Sequence, residues 1–418
     1  MASATLDPGD IAPDLDTDTP PLERLRARGT LRSAWLRVRE AARRSSPTTR
    51  AEATRFELHA DRHLARIAAQ LREGRFVFAR ARGVACERPG KAPRPIVIAP
   101  IESRIVQRAL LDVLRAVPGL GAADLEAPTS FGGVPERGTA RAVAAAIDAV
   151  KGGHRSYLRS DIASFFRMIP RRRALDLLLM HVPDPGFARL LDEATRTELE
   201  NLAELGAAAS IFPEDDSGVP QGCALSTLLG NALLRGFDAQ MNARGIVCLR
   251  YVDDFLLLGR DTSHVKKAFA SAQRALGEMG FEAYDPVIHP GKAASGSTER
   301  GFEFLGCEIK GGRAAPSRAK REELFGRVDA LLRRSERFFA RPDPREASRL
   351  GLAPTLHAVG RLIEGFRASS RFCEADEVFA ALGRAVDGRV EKYLRLHRKS
   401  AAREPEQRGS LRGLRSLT

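Results

Sequence analysis

Cysteine is scarce and scattered in this chain: five residues, at positions 86, 223, 248, 307 and 373, an odd number with no C-x-x-C pair. That excludes a disulfide framework and a paired-cysteine zinc or redox motif, and the thiols are expected to be reduced and packed as small apolar residues. Long apolar runs are missing too. None approaches the roughly 20 residues that a bilayer span needs, and the first 20 or so residues, rich in Asp and Pro, hold no signal-like stretch. A cytoplasmic protein with no membrane association is the expectation. No internal repeat is visible. Acidic residues are outnumbered, 53 Asp plus Glu against 67 Lys plus Arg, for a net charge of +14 and a pI near 10.1. Such a balance suits a polyanion better than a metabolite, nucleic acid ahead of an acidic membrane surface.

With 418 residues, 43% of them apolar, the chain has material for two or three subdomains around a sizeable core. The Pro-rich acidic start predicts a disordered leader. Helical periodicity covers Leu31 to about Arg44 and Arg50 to Arg72, where Phe56, Leu64, Ile67 and Leu71 share one face. His59 and His63 stand at i and i+4 there. With no acidic base nearby, they read as surface or half-buried side chains rather than a metal pair.

Strand-like residues Phe76 to Ala81 and Pro95 to Ile98 flank a basic, proline-bounded turn from Arg88 to Arg94, a combination suited to phosphate. A helix opens at Glu102, with Ile105, Val106, Ala109, Leu110 and Val113 on its apolar side. Tyr157 to Ser160 reads as a short strand ending at Asp161, followed by Phe165-Phe166 and a helix from Arg171. Gly218-Val-Pro-Gln-Gly222 is a turn that presents Gln221 and backbone N–H groups at the start of a long helix, where an anion is welcome. From Thr262 a helix carries a core stripe and stops at Gly280, Phe302 to Ile309 reads as a strand pair, and beyond Pro316 the pattern is helical.

Tyr251-Val252-Asp253-Asp254 lies between two apolar runs, which predicts a β-hairpin with two carboxylates at its tight turn. Asp-Asp in a surface turn is common and usually without function. In a largely buried setting, though, two adjacent ionised carboxylates are costly unless a cation neutralises them. If the strand ending in Asp161 neighbours this hairpin, three acids converge into an oxygen-rich site suited to Mg²⁺ rather than zinc. Two such ions about 3.5–4 Å apart activate an attacking hydroxyl and stabilise a leaving pyrophosphate. Nucleotidyl transfer is the chemistry that follows.

The order of motifs resembles the reverse transcriptases, in particular the bacterial branch with retron, group II intron and phage-defence enzymes. The resemblance rests on APRPIVIAPIESRIVQRAL at 92–110, SFGGVPERGTARAV at 130–143, YLRSDIASFFRMIP at 157–170, GVPQGCALSTLLGNALL at 218–234, YVDDFLLLG at 251–259 and FEFLGCEI at 302–309, and covers roughly residues 50–335. It implies an α+β right-hand polymerase fold: fingers and palm with an antiparallel sheet flanked by helices, then an α-helical thumb and C-terminal extension. The corresponding segments are a leader at 1–22, fingers with N-terminal helices at 23–156, palm at 157–312, a thumb helix at 313–340, a helical extension at 341–398 and a basic flexible tail at 399–418.

By the same resemblance, Asp161, Asp253 and Asp254 are the metal-binding triad, for two Mg²⁺ ions with Mn²⁺ as a substitute. Phe166 is the bulky residue that excludes a ribose 2'-hydroxyl, Gln221 lies against the incoming nucleotide, and Arg94, with Lys91 or Arg104, grips its triphosphate. Lys292 is placed to protonate pyrophosphate. Tyr251 and the Phe304-Leu305-Gly306 turn contact the primer and template, and basic residues of the thumb, among them Arg327 and Arg334, track phosphates. The plain alternatives are that Gln221 caps a helix, Phe166 is core and Lys292 is an exposed loop cation.

The Pro-Gln-Gly motif departs from the diversity-generating retroelement pattern. No retron-type Val-Thr-Gly follows Ile309, and no Cys pair or His cluster marks a group II intron nuclease domain. The stretch from Gly365 is similar to helical extensions of stand-alone bacterial enzymes. The implied partners are an RNA template, expected to be a dedicated noncoding RNA, a DNA product or primer, and dNTPs, in an antiphage setting. Competing readings are a non-catalytic RNA-binding scaffold and a protein-primed or template-independent polymerase, with Tyr393 as an example of a priming hydroxyl. Oligomeric state is not legible.

Overall fold

A computed structural model describes residues 19–88, 90–121, 126–214, 216–243, 245–341, 343, 345–403 and 411–412. The leader expected at the start of the chain falls largely outside them. The element order opens with α1 (Pro21–Arg26), α2 (Arg28–Arg43), α3 (Pro47–Glu57), α4 (Ala60–Arg72), β1 (Arg82–Arg88), β2 (Lys91–Ile98) and α5 (Ile101–Arg115). There follow α6 (Thr139–Lys151), β3 (Ser156–Asp161), α7 (Phe165–Met168), α8 (Arg171–Leu179), α9 (Pro185–Ala194), α10 (Leu202–Leu205) and α11 (Ser226–Asn242). Then come β4 (Val247–Tyr251), β5 (Asp254–Gly259), α12 (Thr262–Glu278), β6 (Ala294–Ser297), β7 (Phe302–Phe304), β8 (Cys307–Lys310) and β9 (Arg313–Pro316). The chain closes with α13 (Arg318–Ala340), α14 (Ala347–Leu350), α15 (Leu352–Ser369) and α16 (Asp376–Arg403). Helices and antiparallel hairpins are thus interspersed, an α+β arrangement as expected.

The molecule divides into two compact units. The first comprises residues 1–142, 158–257 and 263–294, and the second residues 143–157, 258–262 and 295–418. In the first unit one apolar core joins the N-terminal helices to the sheet. α5 is its axis, with Ile105, Val106, Ala109, Leu110, Val113 and Leu114 wholly buried, and Leu31 and Trp35 of α2, Leu228 and Leu229 of α11 and Phe255 and Leu257 of β5 belong to the same cluster. β5 is buried along nearly its whole length, the signature of a strand covered on both faces. The sheet order is β4-β5-β3-β6, which sets the end of β3 beside the β4–β5 hairpin.

Two expectations need correction. Phe76 to Ala81 lies outside the strands, and the basic hairpin is built one segment later, with β1 pairing β2 from Arg82↔Ile98 to Arg88↔Lys91 through a turn at Gly90, φ +68°. A left-handed glycine closes a tighter turn than the proline-bounded loop the sequence suggested, so pairing runs right up to it. The single helix expected from Arg50 to Arg72 is two, because His59 leaves helical geometry at φ −136° and starts α4.

In the second unit β7, β8 and β9 form an antiparallel meander. Phe304↔Cys307 pairing leaves Leu305 and Gly306 as a two-residue turn, both at positive φ (+50° and +75°), which is the hairpin geometry whose twist matches its strands. α13 and α16 pack through Leu324, Val328, Leu332, Phe339, Val386 and Tyr393. α16 continues helical to Arg403, and Leu411 is buried in the same cluster, so the expected flexible tail is anchored at that point.

Candidate active site

β3 delivers Asp161 at its last residue, and the backbone then ties it to the hairpin: Ile162 N donates to Asp253 O at 3.0 Å. On the other side Tyr284 N donates to Asp161 O at 3.1 Å, and Ser160 Oγ donates to Tyr284 O at 2.8 Å. Asp254 opens β5, so Asp161, 92 residues before Asp253 in sequence, meets the adjacent Asp253 and Asp254 at the ends of two neighbouring interior strands. The expected convergence is present in the first unit.

Burial and neighbouring carboxylates both act on the hairpin acids. Burial, a hydrogen bond to Asp161, and the charges of Asp161 and Asp253 push the Asp254 carboxyl up to about 8, against the pull of Arg159. Asp253 is also raised, first by burial and then by Asp161, with Arg94 and Lys292 opposing. Among the described residues no three His, Cys, Asp or Glu side chains stand preassembled as a metal cage. The donor set is nonetheless all oxygen, and carboxyls raised by burial and by one another fit a hard divalent cation.

The cations expected at the site divide into two groups. Lys292 Nζ stands 3.6 Å from Asp161 Oδ2 and 5.3 Å over the Tyr284 ring, held by a tight turn in which Lys292 N and Ala293 N both donate to His289 O at 2.9 Å. Arg94 acts on Asp253, and its strand is fixed to the Pro-Gln-Gly turn: Val97 N donates to Gln221 O at 2.8 Å, in a bridge between Ile96 and Gln221. Gly222, at φ +132°, allows that approach, since a Cβ there would stand 2.3 Å from Val97 O. Arg104 is half-buried on α5 between the buried Ser103 and Ile105; burial pulls its pKa down and the charge of Glu52 opposes that. Lys91 sits at the start of β2, and its side chain lies outside the described residues.

Phe166 is half-buried, edge-on to Phe165 at 5.6 Å, and its carbonyl accepts from Val219 N at 2.8 Å, which joins α7 to the same Gln221 turn. Tyr251 is half-buried at the end of β4. Phe304, Leu305 and Gly306 belong to the second unit, as do Arg327 and Arg334, which are exposed on α13. Arg327 Nη1 lies 3.9 Å from Glu323. Tyr393, the example of a priming hydroxyl, is wholly buried and shares a 2.7 Å hydrogen bond with Ser335, which rules it out as an exposed acceptor.

Sequence reading missed Arg159, Asn231, Asp238 and Arg250. Arg159 precedes Asp161 by two residues and so shares its face of β3. Asn231 and Asp238 are seven apart, hence on one face of α11, and Arg250 abuts the Tyr251 motif. Those spacings were the available signal.

Fold and site together define a nucleotidyltransferase domain built on a palm-like sheet. The family model described as reverse transcriptase (RNA-dependent DNA polymerase) matches residues 87–309, over half the chain. The chain belongs to that family. It is similar to Protein YkfC of Escherichia coli (strain K12), 27% identical over an alignment of 253 residues, with coverage of 52% of this chain and 63% of YkfC, less than two thirds of that protein's length. Among solved structures, a partial Cas6-RT-Cas1–Cas2 complex and a Cas6-RT-Cas1–Cas2 complex each match at 17% identity and a TM-score of 0.36, covering 62% of this chain and 42% and 26% of theirs. Among the described residues no helix is long and apolar enough to cross a membrane.

Proposed function

We propose that this protein is an RNA-directed DNA polymerase that copies an RNA template into cDNA by two-metal nucleotidyl transfer. The observation that carries the reading is the meeting of Asp161, Asp253 and Asp254 at the ends of β3 and β5, with Lys292 and Arg94 close enough to act on them. Asp161 and Asp253 would hold the Mg²⁺ ions, with Asp254 adjusting the site, and when bound the ions supply Lewis-acid activation of the primer hydroxyl and of the leaving oxygen. Arg94 meets the triphosphate of the incoming nucleotide beside Gln221. The ring of Phe166 crowds the ribose 2' position and selects deoxynucleotides. As the primer 3'-oxygen bonds the α-phosphorus, the bond to the bridging oxygen breaks, and Lys292 gives the departing pyrophosphate a proton that it recovers from solvent.

Tyr251, the Leu305 turn and the basic face of α13 are the proposed contacts to primer and template. The proposed biological role is antiphage defence with a dedicated noncoding RNA as template; its support is the resemblance of the C-terminal helices to those of stand-alone defence enzymes and the strongly basic charge of the chain. One variant tests both levels. Asp253→Asn is expected to lower dNTP incorporation on an RNA template–DNA primer by about a thousandfold or more and to abolish phage protection in a host carrying the native locus. Full synthesis by the variant overturns the polymerase reading, and intact protection alongside lost synthesis overturns the defence role.

A further inference from the structure

Arg250 has no solvent exposure, and its guanidinium is fully engaged. Nε and Nη2 donate to the two carboxylate oxygens of Asp238 at 2.8 and 2.6 Å, while Nη1 donates to Asn231 Oδ1 at 2.8 Å and to the carbonyl of Val252 at 2.9 Å. A buried ion pair adds little stability by itself, because desolvating both charges offsets most of their attraction. Its effect is to fix one arrangement of what it touches.

Here it touches the turn that carries the acids. Val252 sits at φ +61°, a β-branched residue in the left-handed region, at a hairpin position that ordinarily takes glycine. Gly132 closes the turn from the opposite side, where a Cβ would stand 2.5 Å from Val252 Cγ2 and 2.6 Å from Val252 N. Asn231 links the two sides, since its Nδ2 donates to Gly132 O at 3.0 Å while its Oδ1 receives Arg250. The backbone of Arg250 is bracketed as well: its N–H donates to Thr129 O and its carbonyl accepts from Phe131 N, both at 2.9 Å.

We infer that Arg250, with Asp238 and Asn231, is a positioning assembly that holds Val252 left-handed and thereby aims the Asp253 and Asp254 carboxylates at the divalent cation. None of the three touches substrate. The inference rests on the reading of the aspartates as cation-holding acids. A lysine at position 250 keeps the charge but lacks the planar fork that reaches Asp238 with two nitrogens and Val252 with a third.

The test uses the full chain, with Mn²⁺ as the probe, titrated by electron paramagnetic resonance beside a thermal melt and primer-extension kinetics. Arg250→Lys is expected to melt cooperatively, bind template–primer as the wild type does, and bind Mn²⁺ about 10- to 100-fold more weakly, with kcat reduced and the KM for dNTP nearly unchanged. Adding Val252→Gly, which removes the left-handed strain, recovers part of the Mn²⁺ affinity. A folded Arg250→Lys with wild-type Mn²⁺ affinity overturns the inference, as does a loss that only tracks the folded fraction. If Arg250→Lys does not fold, Asn231→Ala takes its place, because it leaves the Arg250–Asp238 pair intact; the same weakening supports the assembly and unchanged affinity overturns it. A wild-type chain that binds no Mn²⁺ at Asp253 instead sinks the reading of the aspartates themselves.

Discussion

At the scale of single residues, chemistry is set by what surrounds a side chain more than by the side chain. Asp161, Asp253 and Asp254 are ordinary carboxyls, but burial and mutual proximity raise Asp253 and Asp254 and make the site demand a cation. Lys292 and Arg94 meet part of that demand, and the remainder fits a divalent ion. The role proposed for Phe166 is different, and in it bulk alone discriminates. Phe166→Ala is expected to raise ribonucleotide incorporation relative to dNTP by about 10- to 100-fold while leaving dNTP turnover within a few-fold, measured as the ratio of kcat/KM values on one template–primer. An unchanged ratio removes Phe166 from its assignment. Asp161, Asp253, Asp254, Arg94 and Phe166 were singled out in advance because each stands inside a motif of fixed spacing, whereas Lys292 stands in a loop outside those motifs.

At the scale of elements, hairpin turns do the placing. The Leu305-Gly306 turn has the composition its left-handed geometry calls for and was readable from FEFLGCEI. The Val252 turn does not, and only its enclosure by Arg250 and Gly132 accounts for it. Between β2 and the Pro-Gln-Gly turn the contact is backbone on backbone, which leaves no room for a side chain at position 222. Gly222→Ala is therefore expected to destabilise the protein by about 2–3 kcal/mol in urea unfolding and to raise the KM for dNTP, because β2 carries Arg94 away from Gln221. Wild-type stability and KM together contradict that coupling. The misplacement of the first fingers strand has a related cause: Phe76 to Ala81 has strand composition, but strand formation requires a partner, and β2 finds its partner in Arg82–Arg88.

Over the whole molecule, the excess of basic residues is the property that reaches furthest. A net charge of +14 predicts nucleic-acid affinity dominated by counterion release. If about five phosphates are neutralised, the logarithm of the association constant falls with a slope of about −4 against the logarithm of salt concentration. Fluorescence anisotropy with a labelled RNA–DNA hybrid between 50 and 300 mM salt, roughly the range in which the effect is largest, measures it, and a slope near zero contradicts phosphate tracking. Arg333, Arg334 and Arg337 are exposed on α13 and available for such contacts, whereas Arg318 and Arg327 lie beside Glu322 and Glu323 on the same helix.

The sequence by itself determined the motif order, the family that order belongs to, the helical character of the chain beyond Pro316 and the proposal of the three acids, because each depends on local composition and spacing. Tertiary structure alone decided that Asp161 meets the hairpin, that Tyr393 is buried and that Arg250 joins Asp238, Asn231 and the carbonyl of Val252. Those facts depend on which faces pack together and which buried polar groups find partners, and contacts between residues distant in the chain leave no periodicity from which they can be read.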